Sequence, residues 1–116
     1  LNLGDSVTFS GFVNPIEAMG RSDMIVQLSV WENCSYTLLD AKAAGLKTVA
    51  TAVGGNPEIL GADELVDRQS ATLTQDVLQA MRQQLLKGES EPFTWISNEQ
   101  MAAQTTEIYA RTLEKK

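Results

Sequence analysis

Two nearly continuous apolar runs, "MIVQLS" (24–29) and "LKTVATAV" (46–53), flank a span that reads as a helix, and this arrangement constrains the fold most. Runs this short and this apolar are expected of strands covered on both faces, as in parallel sheets. Between them, Ser35 or Thr37 opens a helical pattern through Ala44, and Gly45 ends it. A strand, a helix and a second strand in so few residues spell a parallel crossover.

The flanking segments extend the alternation. "VTFSGF" (7–12) reads as an earlier strand, and "NPIEAMGRS" as a helix with Asn14 as N-cap, Pro15 at the first helical position and Glu17 in the first turn. "GGNPEIL" starts another helix at Asn56 and Pro57, and "DELVD" (63–67) is a short fourth strand. Beyond it, Leu73, Val77, Met81 and Leu85 recur four apart, with Thr72 and Gln75 spaced as a capping box and Gly88 as terminator. After a connection around "EPFTW" (91–95), Ser97 with Gln100 caps a last helix carrying Met101, Thr105, Ile108, Tyr109 and Thr112 on one face. The expected fold class is α/β, a Rossmann-like parallel sheet flanked by helices, forming one domain over 1–116.

Composition narrows the function. The 116 residues suffice for one domain burying roughly two thirds of its unfolded surface. A net charge of -6, with no basic cluster, argues against nucleic acid as a partner. One cysteine and no histidine remove disulfides, Ser-His and Cys-His nucleophile schemes, and any zinc site of the usual kind. No apolar run reaches the length of a membrane span, and the single cysteine, Cys34, fits a reducing, cytoplasmic setting. The start at Leu1, without methionine, leads to the expectation of a processed product or an excised piece.

Glu32 and Asp40, with seven residues between them, bracket the turn from strand to helix. In an open parallel sheet, ligands bind beyond the carboxyl ends of strands, where helix N-termini offer free N–H groups. The amides of Cys34 to Leu38 suit a diphosphate, a carboxylate at Asp40 suits a ribose diol, and Glu32 suits the hydroxyls of a sugar. The structural reading stands beside this one. Thr37 and Asp40 also match a capping box, and an acid in a first turn stabilises the helix dipole by about 0.3–1 kcal/mol. Gly54-Gly55 is likewise either a turn needing positive φ or a bare loop that a sugar or phosphate can approach.

Read in order, "DSVTFSGFV", "MIVQLSVWENCSYTLLDAKAAGLKTVATAVGGNPEIL" and "FTWISNEQMAAQTTEIYARTL" resemble the C-terminal domain of family-four retaining glycosyltransferases. Ser29, Glu32, Leu39, Ala41, Ala44-Gly45, Gly54-Gly55, Pro57-Glu58 and Trp95 fall where that family's pattern has its marks. The resemblance implies that Glu32 contacts the donor sugar as the catalytic residue. It implies that the backbone of Asn33, Cys34, Ser35, Tyr36, Thr37 and Leu38 lines the diphosphate and that Asp40 binds the ribose. Gly11 and Phe12 would lie near the nucleobase. It further implies a nucleotide-diphosphate sugar as donor substrate, no metal or other cofactor, and an acceptor held by an N-terminal domain. Polysaccharide or glycolipid synthesis in the cytoplasm or at the inner face of the membrane follows as its setting.

The sequence departs from the pattern at Asp40, where the family has Glu, at Gln27-Leu28-Ser29, where it has Leu-Pro-Ser, and at Asn33-Cys34-Ser35, where it has a Gly-Phe-Gly-like turn. Cys34 reads as a small loop residue, since no base activates it. Two leading strand-helix units, with a phosphate-binding Arg and Lys, are absent, as is the acceptor domain. A sheet cut in this way leaves an open edge, so self-association or a rearranged first strand is expected. As it stands the chain should be catalytically silent. A noncatalytic regulatory or assembly module is the alternative; a dinucleotide-binding oxidoreductase fits poorly, because no Gly-x-Gly-x-x-Gly follows a strand.

Overall fold

The computed structural model describes residues 2–114. After a 3-10 turn at Gly4–Ser6 come α1 (Pro15–Gly20), β1 (Met24–Gln27), α2 (Tyr36–Ala43), β2 (Lys47–Thr51) and α3 (Asn56–Ile59). A 3-10 turn at Ala62–Glu64 leads into β3 (Leu65–Val66), followed by α4 (Leu73–Leu86) and α5 (Asn98–Glu114). The strands form one parallel sheet in the order β1-β2-β3, with Met24 opposite Lys47 and Ala50 opposite Leu65. This is the expected Rossmann-like α/β arrangement.

β2 runs through the centre, and its alternating side chains divide the core. Ala50 faces Leu38, Ile59 and Leu60 of the α2–α3 side, with Leu39, Leu65 and Phe93 packed on them. Val49 faces the other way, onto Val66 and onto Val77 and Ala80 of α4. Helices thus cover both faces of the central strand, which is why its sequence is apolar without a period of two.

Local signals set most helix ends. The Asn14 side chain accepts from the N–H groups of Ile16 and Glu17, and Pro15 follows, as expected of α1. Ser97 and Gln100 cap α5 reciprocally. At the end of α2 the N–H of Leu46 reaches Ala41 O and that of Gly45 reaches Lys42 O, with Gly45 at φ 76°. That pattern requires a left-handed residue and explains Gly45.

Five expectations are corrected. Residues 7–12 form no strand. The connection to Met24, about eleven residues with α1 inside it, lies at the short limit of a parallel crossover, and the segment does not pair with the free edge of β1. β1 is not covered on both faces: Met24, Ile25 and Gln27 are half-buried and Val26 is 39% exposed. The α2 cap is Ser35, whose hydroxyl accepts from Leu38 N, so Thr37 and Asp40 form no capping box and Asp40 sits in the second turn.

Thr72 makes no cap bond either: its N–H goes to Ser70 Oγ, and the hydroxyls of Ser70 and Thr72 are given to Asp76. Finally, Leu85 is exposed while Val77, Ala80 and Gln84 are buried. A spacing of four overshoots a helical turn by about 40°, so the fourth member of that row has swung off the core.

Candidate functional site

The loops after β1 and β2 leave the same edge of a parallel sheet, and here they touch. The N–H of Gly55 donates to Glu32 O at 3.1 Å. A Cβ on Gly54 would stand 1.5 Å from Glu32 O, and one on Gly55 would stand 2.1 Å from Asn33 O. Gly54 also holds φ at 51°. Both glycines are therefore required by close backbone approach. Of the two readings open for this pair, the turn needing positive φ holds at Gly54, and the backbone that both glycines approach is that of the Glu32–Asn33 loop.

Glu32 is half-buried at this rim. Its Oε1 accepts from Gln27 Nε2 at 2.5 Å and from Ser29 Oγ at 2.7 Å. Gln27 Nε2 also donates to Ser29 Oγ at 3.2 Å, and Ser35 Oγ donates to Gln27 Oε1 at 2.8 Å. Thr51 Oγ1 donates to Ser29 O at 2.7 Å, tying the end of β1 to β2. Glu32 is thus joined through side chains to the residue that caps α2.

Ser35 is buried, and Leu38 is fully buried in the core, where only its backbone N–H, already given to Ser35 Oγ, approaches the helix start. Among the described residues the N–H groups of Tyr36 and Thr37 have no partner, which leaves the first turn able to meet an anion. Asn33 and Cys34 are exposed, as are the side chains of Tyr36 and Thr37.

Asp40 lies elsewhere on α2. Two residues past Leu38, it is turned about 200° from that buried side chain. It is exposed and lines a groove between α1 and α2 of about 560 Å³ with Pro15, Ile16, Met19 and Leu46. Glu32 does not line that groove. Gly11 and Phe12 lie in the irregular stretch before α1, and the Phe12 ring is fully exposed. The structure therefore brings together Glu32, the Asn33–Cys34 backbone, Ser35 and the start of α2, but not Asp40, Gly11 or Phe12.

Sequence reasoning missed Gln27 as part of this cluster. A polar residue in an otherwise apolar strand, at the very departure from Leu-Pro-Ser, was the available signal. It also missed a second polar cluster toward the amino ends of the strands. There Glu64 accepts from Lys42 Nζ at 2.8 Å, from the fully buried Thr48 Oγ1 at 2.5 Å and from Gly61 N at 2.9 Å. Burial opposes the charge on Glu64, but Lys42, Thr48 and Gly61 together hold its carboxyl below the ordinary glutamate value. Nothing in the spacing of these residues announced their meeting. Among the described residues no three His, Cys, Asp or Glu side chains converge as a metal site would need.

Comparison with known proteins bears on this rim. Residues 1–105 match the family model described as glycosyl transferases group 1. No curated protein and no solved structure matches the chain.

Proposed function

Because the chain belongs to the group 1 glycosyltransferases, we propose that it is the donor-binding part of a retaining enzyme of family-four type, moving a hexose from a nucleotide-diphosphate sugar to a glycan or glycolipid. The observation that carries this reading is the Glu32 carboxylate, anchored through one oxygen at the carboxyl rim of the sheet beside the capped start of α2. The second oxygen accepts from sugar hydroxyls, and the free amides of Tyr36 and Thr37 receive the diphosphate, where the helix dipole favours negative charge. Asp40 holds the ribose from the second turn of the helix, one methylene short of the glutamate it replaces. Gly11 and Phe12 approach the nucleobase from the irregular stretch before α1. The chemistry uses no metal, and the isolated chain is inactive. The work takes place in the cytoplasm or at the inner membrane face; no described helix is long and apolar enough to cross a membrane.

Calorimetric titration of the chain with uridine- and guanosine-diphosphate hexoses tests the reading. Binding should weaken roughly 10- to 100-fold in Glu32→Ala, the worth of a charge-assisted hydrogen bond. Asp40→Ala should weaken the hexose conjugate and the bare nucleoside diphosphate alike. Binding unchanged in both variants would favour the alternative, a noncatalytic module, which the exposed position of Asp40 in a separate groove supports.

A further inference from the structure

We propose that Gln27 is a positioning residue that makes the sugar part of the donor count toward binding, by holding Glu32 in one orientation. The inference rests on the donor-site reading above. Glu32 Oε1 takes two donors, Gln27 Nε2 and Ser29 Oγ, while its Oε2 has no partner among the described residues. A carboxylate held at one oxygen presents the other in a fixed direction, and a fixed acceptor gains more from a sugar hydroxyl than a rotating one does.

The orientation of the Gln27 amide follows from the same contacts. Turning it over would set its carbonyl oxygen 2.5 Å from Glu32 Oε1, two acceptors in contact with no proton between them. Nε2 therefore faces Glu32, and Oε1 faces the Ser35 hydroxyl, which donates to it at 2.8 Å and accepts from Leu38 N at 3.2 Å. Gln27 is the last residue of β1, so its backbone is held by the ladder to Ala50. A rigid strand end thus links the sugar side of the rim to the capped helix on the diphosphate side. Leucine, which the related pattern has at this place, could supply none of these bonds.

Gln27→Glu separates this role from a general structural one. The change is isosteric and keeps an acceptor for Ser35, but it removes the donor to Glu32 and sets a like charge beside it. Titrations would use uridine and guanosine diphosphates and their glucose, galactose and mannose conjugates. In the wild-type chain a conjugate should bind about tenfold more tightly than its bare diphosphate. In Gln27→Glu that preference should vanish while affinity for the bare diphosphate stays within about twofold. A preference that survives, or a loss shared equally by both ligands, overturns the positioning role and leaves the donor site standing. No binding of any nucleoside diphosphate by the wild-type chain overturns the donor site, and this inference with it. A ligand-free readout stands beside these: Glu32→Gln should move the side-chain amide NMR signals of Gln27, and signals that stay in place contradict the contact.

Discussion

At the scale of single residues, burial and pairing compete over Glu64, and pairing prevails. Its carboxyl titrates below its unfolded value, so its contribution is fully present above the unfolded pKa of about 4.3 and is lost as pH falls through the folded value. Urea midpoints should therefore drop as the solution is acidified below about pH 4.3. Glu64→Gln should flatten that part of the curve while lowering stability at neutral pH. Asp63 is shifted the same way by Lys87 and Gln84, but it is exposed and adds little. None of this was legible beforehand: Glu64 is distant in sequence from both Lys42 and Thr48, and no local rule pairs it with either. Glu32 was legible as a rim residue, since the end of an apolar run places it there. Its partner Gln27 was not, because the chain between them, residues 28–31, had to fold back first.

Among the elements, helix starts were read well where the cap is followed by proline or answered by a third-position partner, as at Asn14 and Ser97. They were read less well where several hydroxyls compete, as at Ser35 against Thr37 and at Ser70 and Thr72 around Asp76. α4 shows the limit of a row of identical spacings. Its packed face is Val77, Ala80 and Gln84, and Leu85 is 58% exposed. Val77→Ala should accordingly lower stability by roughly 0.5–2 kcal/mol, whereas Leu85→Ala should stay within about 0.5 kcal/mol. Denaturant midpoints of the two variants decide this, and equal losses would show that the helix packs in another register.

For the whole molecule, the covered core accounts for only part of the chain. The surface is 9067 Å², against roughly 6,200 Å² for a monomer of this mass, so about half of the unfolded surface is buried rather than two thirds. The radius of gyration is 17.7 Å, against about 13 Å for a compact domain of this length. The excess has identifiable sources. Phe9 and Phe12 stand in solvent, β1 keeps one edge unpaired, and α5 has no buried residue. Self-association in a concentration-dependent manner should follow, visible as a rise in mass by light scattering between micromolar and millimolar chain; a constant monomer mass would remove the expectation. The amino-acid order by itself determined the alternation of strand and helix, the parallel sheet, most helix ends and the place of Glu32 at the rim. Each of those depends on backbone preferences and hydrogen bonds that act within a few residues. Only the tertiary structure decided that residues 7–12 go unpaired, that Asp40 turns into a groove that Glu32 does not line, and that Gln27 meets Glu32 while Lys42 meets Glu64. Those outcomes depend on which surfaces are present to be packed against, and contacts between distant residues carry no mark in local sequence.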